Sequence, residues 1–404
     1  MIKLTLRRNS IYIIQLFIYY YLRRIDSEII KHYFEFKDSL IFTLLMHLGE
    51  FFGGLASYIY QKTFLKNTKR TKEDIGGPIL FPKKRKNMKR IDGNFKIYLL
   101  IFFAAYFDFL AYDLTSFYVP KFAALSPTAD LRLYSITTIS SSLIFVYALK
   151  LKTGKHQFYS LLIISICLII TLIIEFIYQR QLTTFGNLFF AYALTILSLI
   201  MVTFTDTIEK YLTEFNFVNP FIILITESIF GFILVMVNSL DKNPFIEIKN
   251  TYDNPDKNFG LLIFLLFLHF AFSAGTNVYK ILSNVLYSPM AKSVCIYILN
   301  PVFIIYSYFL GNDFQINGES NVVYLIINII LSIIIGFFGF VYNEFLVLFI
   351  CGLEYETHYV ISKRSQTQFE NAMDDLRIIR TFESDDLDNN DESKNIKISI
   401  FYIL

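Results

Sequence analysis

The stretch VNPFIILITESIFGFILVMV, Val218–Val237, is twenty residues with one carboxylate, Glu227, at its middle. A bilayer core about 30 Å thick needs about 20 apolar residues in a helix, because lipid offers no partner for an unpaired backbone group. A run of this length and composition therefore reads as a membrane span. The rest of the chain repeats the pattern. Apolar runs of similar length occur at 39–60, 97–118, 131–149, 158–178, 188–205, 261–279, 290–310 and 322–350, which gives nine good spans. A tenth candidate, 11–22, holds only twelve residues and is followed by Arg23 and Arg24, so it is too short to cross comfortably. The basic residues before it imitate a signal peptide, but no small-residue cleavage site follows. A shortened first helix or an altered N-terminus fits as well.

Composition agrees with an all-α polytopic membrane protein of about ten helices. Of 404 residues, 54% are hydrophobic and 18% charged, against about 25% charged in soluble domains. The aromatic content, 44 Phe and 28 Tyr, argues against disorder. Three widely spaced cysteines, Cys167, Cys295 and Cys351, offer neither a disulfide framework nor a zinc site, and no cofactor or metal is called for. The net charge of +3 is too small to suggest nucleic acid.

Orientation follows from Lys and Arg in the connections. Twelve cations lie between the first two good spans, from Lys62 to Lys96, and such a loop stays in the cytosol. Alternation then puts twenty-three cations on the cytosolic side and five on the other, with a cytosolic C-terminus. The expected organisation is an N-terminal segment 1–37 with a short or incomplete first helix, first-repeat helices 38–178 with the basic loop 61–96, a second five-helix repeat 179–350, and a tail 351–404. The tail ends in an acidic run, 383–392, that reads as solvated and disordered.

Two internal echoes point to a duplication, which in transporters places a site at the interface of inverted repeats. Ser126-Pro127-Thr128-Ala129 aligns with Ser288-Pro289-Met290-Ala291 without a gap in the flanking spans. Glu50, mid-span and one turn before glycine, matches Glu227 before Gly231. Five spans separate each pair, and an odd number inverts one half relative to the other.

A charge at bilayer depth costs roughly 2.5 to 3.5 kcal/mol on insertion scales, so it normally faces a cavity or a partner. Glu50, Asp108, Asp113, Glu227 and His269 lie within spans, and Asp130, Arg132 and Lys292 near the starts of two related spans. Asp206, Glu209, Lys210 and Lys280 lie near span ends and read as interfacial. Arg132 and Lys292 are candidate substrate contacts that would converge on one anionic group, with Asp108 and Asn277 beside them. They read equally as snorkelling cations, or as partners of Asp130. Glu50 and Glu227 are candidates for gating or proton coupling, with structural hydrogen bonding or amine binding as alternatives. Asp108 and Asp113, five residues apart, do not share a tight face, which disfavours a metal pair.

The chain resembles the drug/metabolite transporter superfamily, near the F-type branch of solute carrier family 35, related to nucleotide-sugar transporters. The resemblance runs from about Tyr33 to Tyr342 and is strongest at His47-Leu48-Gly49-Glu50-Phe51, at Ile208-Glu209-Lys210-Tyr211 with Val218-Asn219-Pro220-Phe221, and at Thr226-Glu227-Ser228-Ile229-Phe230-Gly231-Phe232. It implies ten helices in two inverted five-helix repeats, alternating access, and a cavity lined by the first four helices of each repeat. In similar phosphate-carrying members, basic residues on the fourth and ninth helices hold the anion, which corresponds here to Arg132 and Lys292. Where relatives often carry glutamine-methionine-leucine-arginine-glycine, this chain has Ala129-Asp130-Leu131-Arg132-Leu133.

The expected activity is secondary-active transport or exchange of a small polar, anionic metabolite. Proton-coupled transport of amines or amino acids is the alternative, as is a non-transporting receptor or scaffold. An intramembrane enzyme built on His269 and Asp108 is disfavoured by the lack of HExxH, Gly-x-Ser-x-Gly or paired-aspartate signatures. The expected partners are a small-molecule substrate and the lipid bilayer, with room for a homodimer. The resemblance favours an endomembrane location, such as Golgi, endosome or vacuole/lysosome.

Overall fold

The computed structural model describes residues 2–4, 10–34, 36, 40–64, 94–123, 125, 129–147, 154–179, 184–239, 245–255, 257–286, 289–309, 315–316, 319–320, 322–350, 352–357 and 360. The Ser-Pro echoes at 126–127 and 288, most of the basic loop and the acidic tail lie outside the described residues. The chain divides into two compact units, 4–346 and a smaller one formed by 1–3 and 347–404. In the smaller unit a 3-10 turn, Leu353–Glu356, begins after Gly352, which takes the left-handed φ of 77° that glycine tolerates without a Cβ clash.

The larger unit is helical. Its helices are α1 (Ser10–Phe34), α2 (Leu40–Phe64), α3 (Asn94–Asp113), α4 (Val119–Phe122), α5 (Ala129–Leu133), α6 (Ser135–Tyr147), α7 (Lys155–Gln179), α8 (Phe185–Phe215), α9 (Pro220–Asn238), α10 (Ile246–Tyr252), α11 (Phe259–Leu286), α12 (Pro289–Phe309) and α13 (Val322–Tyr342). A π-turn, Leu114–Tyr118, joins α3 to α4. A two-residue hairpin, Gln315–Ile316 against Glu319–Ser320, lies between α12 and α13.

Seven helices among the described residues are long and apolar enough to cross a bilayer, as in an all-α multi-pass membrane protein. They correspond to α2, α3 continued through α4, α7, α8, α9, α11 and α13. Of the sequence-expected spans, 131–149 is broken at Tyr134 into five- and thirteen-residue helices, and 290–310 forms α12, with Lys292 near its start and Pro301 inside.

The short first run is extended rather than incomplete. α1 continues past 22 to Phe34, 25 residues, about 37 Å at 1.5 Å per residue. Hydropathy ends the run at Arg23 because it prices charges as solitary, whereas several here have partners. Arg24 lies 3.6 Å from Glu28 and 3.5 Å from Asp130, and Asp26 lies 3.2 Å from His269.

α7 shows how these helices sit. Its exposed stripe is apolar, with Phe158, Leu162, Ile166, Ile169, Ile173 and Ile177, while its buried stripe carries His156, Ser160, Thr171, Glu175 and Gln179. This reverses the pattern of a water-facing helix. An apolar exterior suits lipid, and the polar groups are satisfied inside, as when Thr171 donates 2.9 Å to the Cys167 carbonyl.

The main helix contacts join α1 to α11 and α12; α2 to α9 and α11; α3 to α8 and α9; α6 to α7, α8 and α12; and α13 to α7 and α12. Small residues permit the closest approaches. A Cβ on Gly49 would lie 2.8 Å from the Ala274 nitrogen and 2.8 Å from the Phe270 carbonyl, so α2 and α11 meet nearly backbone to backbone there. α9 starts with Asn219 accepting from the Phe221 amide at 2.9 Å and with Pro220 in its first turn, where a missing N–H costs nothing.

Candidate functional site: an interior ionic network

The interior holds more charge than the apolar exterior suggests. On α5, Arg132 is buried and faces Glu175 of α7, with Nε 2.8 Å from Oε1 and Nη2 donating 3.1 Å to Oε2. Two further donors converge on the same Oε2, Tyr192 Oη at 2.7 Å and Gln179 Nε2 at 3.0 Å. The guanidinium also lies 5.9 Å from the Tyr324 ring centroid. The Nη2 bond to Oε2 is charge-assisted, the stronger class of hydrogen bond.

Lys292 is held by a different carboxylate. Its Nζ contacts Asp206 Oδ2 on α8, and Lys280 of α11 approaches the same residue at 3.5 Å and Glu209 at 3.2 Å. Asn284 donates to Glu209 Oε2 at 2.6 Å, and Lys210 donates to the Val285 carbonyl at 2.9 Å. Arg132 and Lys292 thus each meet a separate carboxylate. Asp206, Glu209 and Lys210, read from the sequence as interfacial, are buried, and the Lys280 side chain is only 12% exposed. They lie inside because α8 and α11 run on past their apolar segments and bring opposite charges together.

Glu50 on α2 accepts or shares a proton with His47 Nδ1 at 3.0 Å, one turn back, and both are buried. The His47 ring occupies the space left by Gly231 of α9, where a Cβ would lie 2.3 Å from Cε1. Glu227 is buried one turn before that glycine, and its Oε2 has no hydrogen-bond partner among the described residues.

Asp108 lies on the inward stripe of α3, seven residues after fully buried Ile101 and three before buried Ala111, and is itself half-buried. Asn277, one turn before Lys280, is buried with its Nδ2 lacking a partner among the described residues. Asp113 accepts from Asn238 Nδ2 at 3.4 Å. His269, the one base considered for an enzyme, has Nδ1 3.2 Å from Asp26 and its ring centroid 4.9 Å from that of Phe42. These contacts make it part of the packing between α1 and α11.

Sequence reasoning missed Glu175, His47 and the charges of α1. Glu175 was legible as a carboxylate within the run 158–178 with Gln179 one turn on, and His47 as an i, i+3 neighbour of Glu50. Arg23 was treated only as the end of an apolar run. Neither protein-family models nor curated proteins gave a match to the chain.

Proposed function

We propose that the chain is a secondary transporter that moves a small polar metabolite by alternating access, with ten helices in two inverted five-helix repeats. The observation that carries this reading is the set of helix neighbours. Exchange α1 with α8, α2 with α9, α3 with α11, the broken α5–α6 with α12, and α7 with α13. The contact of α1 with α11 then becomes α8 with α3, α2 with α11 becomes α9 with α3, α12 with α13 becomes α6 with α7, and α1 with α12 becomes α8 with α6. The contacts of α2 with α9, α7 with α13 and α6 with α12 return themselves. Both members of each of these exchanged pairs are present, as a two-fold relation between halves would give, whereas the contacts of α9 with α11, α11 with α12 and α8 with α11 have no such counterpart among the main contacts.

The ion pairs support the same exchange. Arg24 joins α1 to Asp130 at the start of α5, and Asp206 joins α8 to Lys292 at the start of α12. Asp130 and Lys292 occupy equivalent positions in the gapless repeat alignment, so the two pairs correspond with their charges reversed. With the basic loop in the cytosol, they fall toward opposite faces of the membrane. Opening one while the other holds would expose the interior to one side at a time. An endomembrane location with a cytosolic C-terminus accompanies this reading, as does the drug/metabolite transporter resemblance.

The test is reconstitution of the full chain in liposomes. Melting temperatures in the presence of nucleotide sugars, nucleoside monophosphates, phosphorylated sugars, amino acids and organic cations select ligands, and counterflow of the labelled ligand follows. Saturable exchange of at least one class is expected. Folded protein that exchanges none of them would overturn the proposal.

A further inference from the structure

We propose that His47, Glu50 and Glu227 together hold one exchangeable proton between α2 and α9, and that this proton is the coupling ion of the transport cycle. The second claim rests on the transport reading above and adds its coupling ion.

Close contacts fix the level of each acid. The His47 ring fills the space of Gly231, where a Cβ would lie 2.7 Å from Nε2, and a Cβ on Gly54 would lie 3.0 Å from the Ile225 side chain. α2 and α9 therefore run antiparallel, and Glu50, between His47 and Gly54, comes level with Glu227, between Ile225 and Gly231.

Directions follow from the helical repeat. On α2, His47 and Gly54 face α9, whereas Gly49 and Gly53 face α11 at Ser273, Ala274 and Val278, and Glu50 lies between these two faces. On α9, Gly231 faces α2, Phe230 faces Phe102 of α3 with ring centroids 5.5 Å apart, and Glu227 lies between those two. Both acids are only 2% exposed, so the space they enter is the interior and not lipid. His47 Nδ1 lies 3.0 Å from Glu50 Oε2, while His47 Nε2 and Glu227 Oε2 are buried without a hydrogen-bond partner among the described residues. Two acids at one level of such a space cannot both be ionised without counter-charge.

The neighbouring helices do not supply enough of it. On α11, His269 is held by Asp26, and Lys280, seven residues and about 10 Å along the axis from Ser273, is held by Asp206 and Glu209 of α8. Lys210 of α8 donates to the Val285 carbonyl. On α3, the contacts of Phe102 with Phe230 and of Asp113 with Asn238 place Asp108 past Phe230, more than a turn beyond Glu227. On α1, Tyr19 fills the space of Gly275 and Asp26 meets His269, which brings Arg23 near the level of Ser273. One guanidinium against two carboxylates still leaves one acid uncompensated, and a proton makes up the difference. Among the described residues no three His, Cys, Asp or Glu side chains gather as metal ligands, so the proton is the cation that fits.

Glu50 and Glu227 exchange with each other in the repeat, and the contact of α2 with α9 returns itself. The pair thus sits where the two halves meet, and a proton held there can be reached from each face in turn as the halves move.

The experiment is pH-difference infrared spectroscopy of the full chain in lipid films. A protonated-carboxyl C=O absorption that titrates is expected in the parent and absent from the Glu50→Gln/Glu227→Gln double variant. In either single variant its midpoint should move by about one pH unit or more, the size that marks two interacting acids. Unliganded melting of each variant shows whether it folds. If the double variant does not, dicyclohexylcarbodiimide, which modifies protonated carboxyls in apolar surroundings, is applied to the parent, where modification of Glu50 or Glu227 should decline as pH rises. An absorption unaltered in the double variant, midpoints unchanged in both single variants, or modification of neither acid would overturn the proton site. Coupling is read separately in sealed proteoliposomes with the membrane potential held at zero. Whichever of nucleotide sugars, nucleoside monophosphates, phosphorylated sugars, amino acids and organic cations exchanges should accumulate up to about tenfold per unit of imposed pH difference, for one proton per solute. Exchange indifferent to the pH difference would overturn the coupling. A titrating pair in a chain that exchanges none of these solutes would instead remove the transport reading and leave the proton site.

Discussion

Arg132 offers the sharpest test of whether an interior cation binds solute or holds the fold. In Arg132→Leu, Glu175 stays fully buried with only Tyr192 and Gln179 as donors. Breaking a buried pair from one side costs about 3–5 kcal/mol, because the remaining charge is uncompensated, whereas replacing both charges by apolar groups is often close to neutral. Arg132→Leu and Glu175→Leu should therefore each lower the unfolding free energy by about that amount, and the double variant should lose much less than their sum. The assay is a double-mutant cycle by denaturant or thermal unfolding in one detergent, with solute-induced stabilisation measured in parallel. If Arg132→Leu unfolds like the parent while losing its response to an anionic solute, the guanidinium serves the solute and the structural assignment fails.

Other consequences can be checked by the same methods. Gly231→Ala places a Cβ 2.3 Å from the His47 ring and should cost about 1–3 kcal/mol, with partial rescue by His47→Ala. Gly339→Ala, whose Cβ would lie 2.5 Å from the Tyr297 ring, should also destabilise, whereas Gly186→Ala, with nothing within 4 Å, should not. His269→Ala should lower stability through loss of its contacts with Asp26 and Phe42 while leaving solute-induced stabilisation intact; abolished binding with unchanged melting would instead move His269 into the site.

The apolar exterior was legible in the sequence because lipid contact requires long uninterrupted runs, as in α7, α8 and α13. What escaped were places where tertiary partners cancel a local cost. α1 was cut at Arg23 since no sequence window shows that Arg24 meets Asp130 more than a hundred residues later, or that Asp26 meets His269. Asp206, Glu209 and Lys280 were discounted by their nearness to span ends, although their mutual pairing carries them inside. The break at Tyr134 divides a span that reads as continuous, because neither proline nor glycine marks the turn. Glu50 and Glu227 stand out in the sequence because a carboxylate beside a glycine in an apolar run is conspicuous, and they lie on α2 and α9, which pack on each other. The pairing that neutralises Arg132 was not found, since Glu175 lies 43 residues away.

Alternating access is tested most directly by asking from which side the interior can be reached. In a variant with Cys167, Cys295 and Cys351 replaced by serine, Asn277→Cys supplies one interior thiol for a membrane-impermeant maleimide applied to either face of sealed vesicles. Arg24→Gln, which breaks the pair with Asp130, should raise labelling from one face, and Lys292→Gln, which breaks the pair with Asp206, should raise it from the other. Increased labelling from the same face in both variants, or no change in either while the thiol reacts after detergent is added, would contradict the two-gate arrangement.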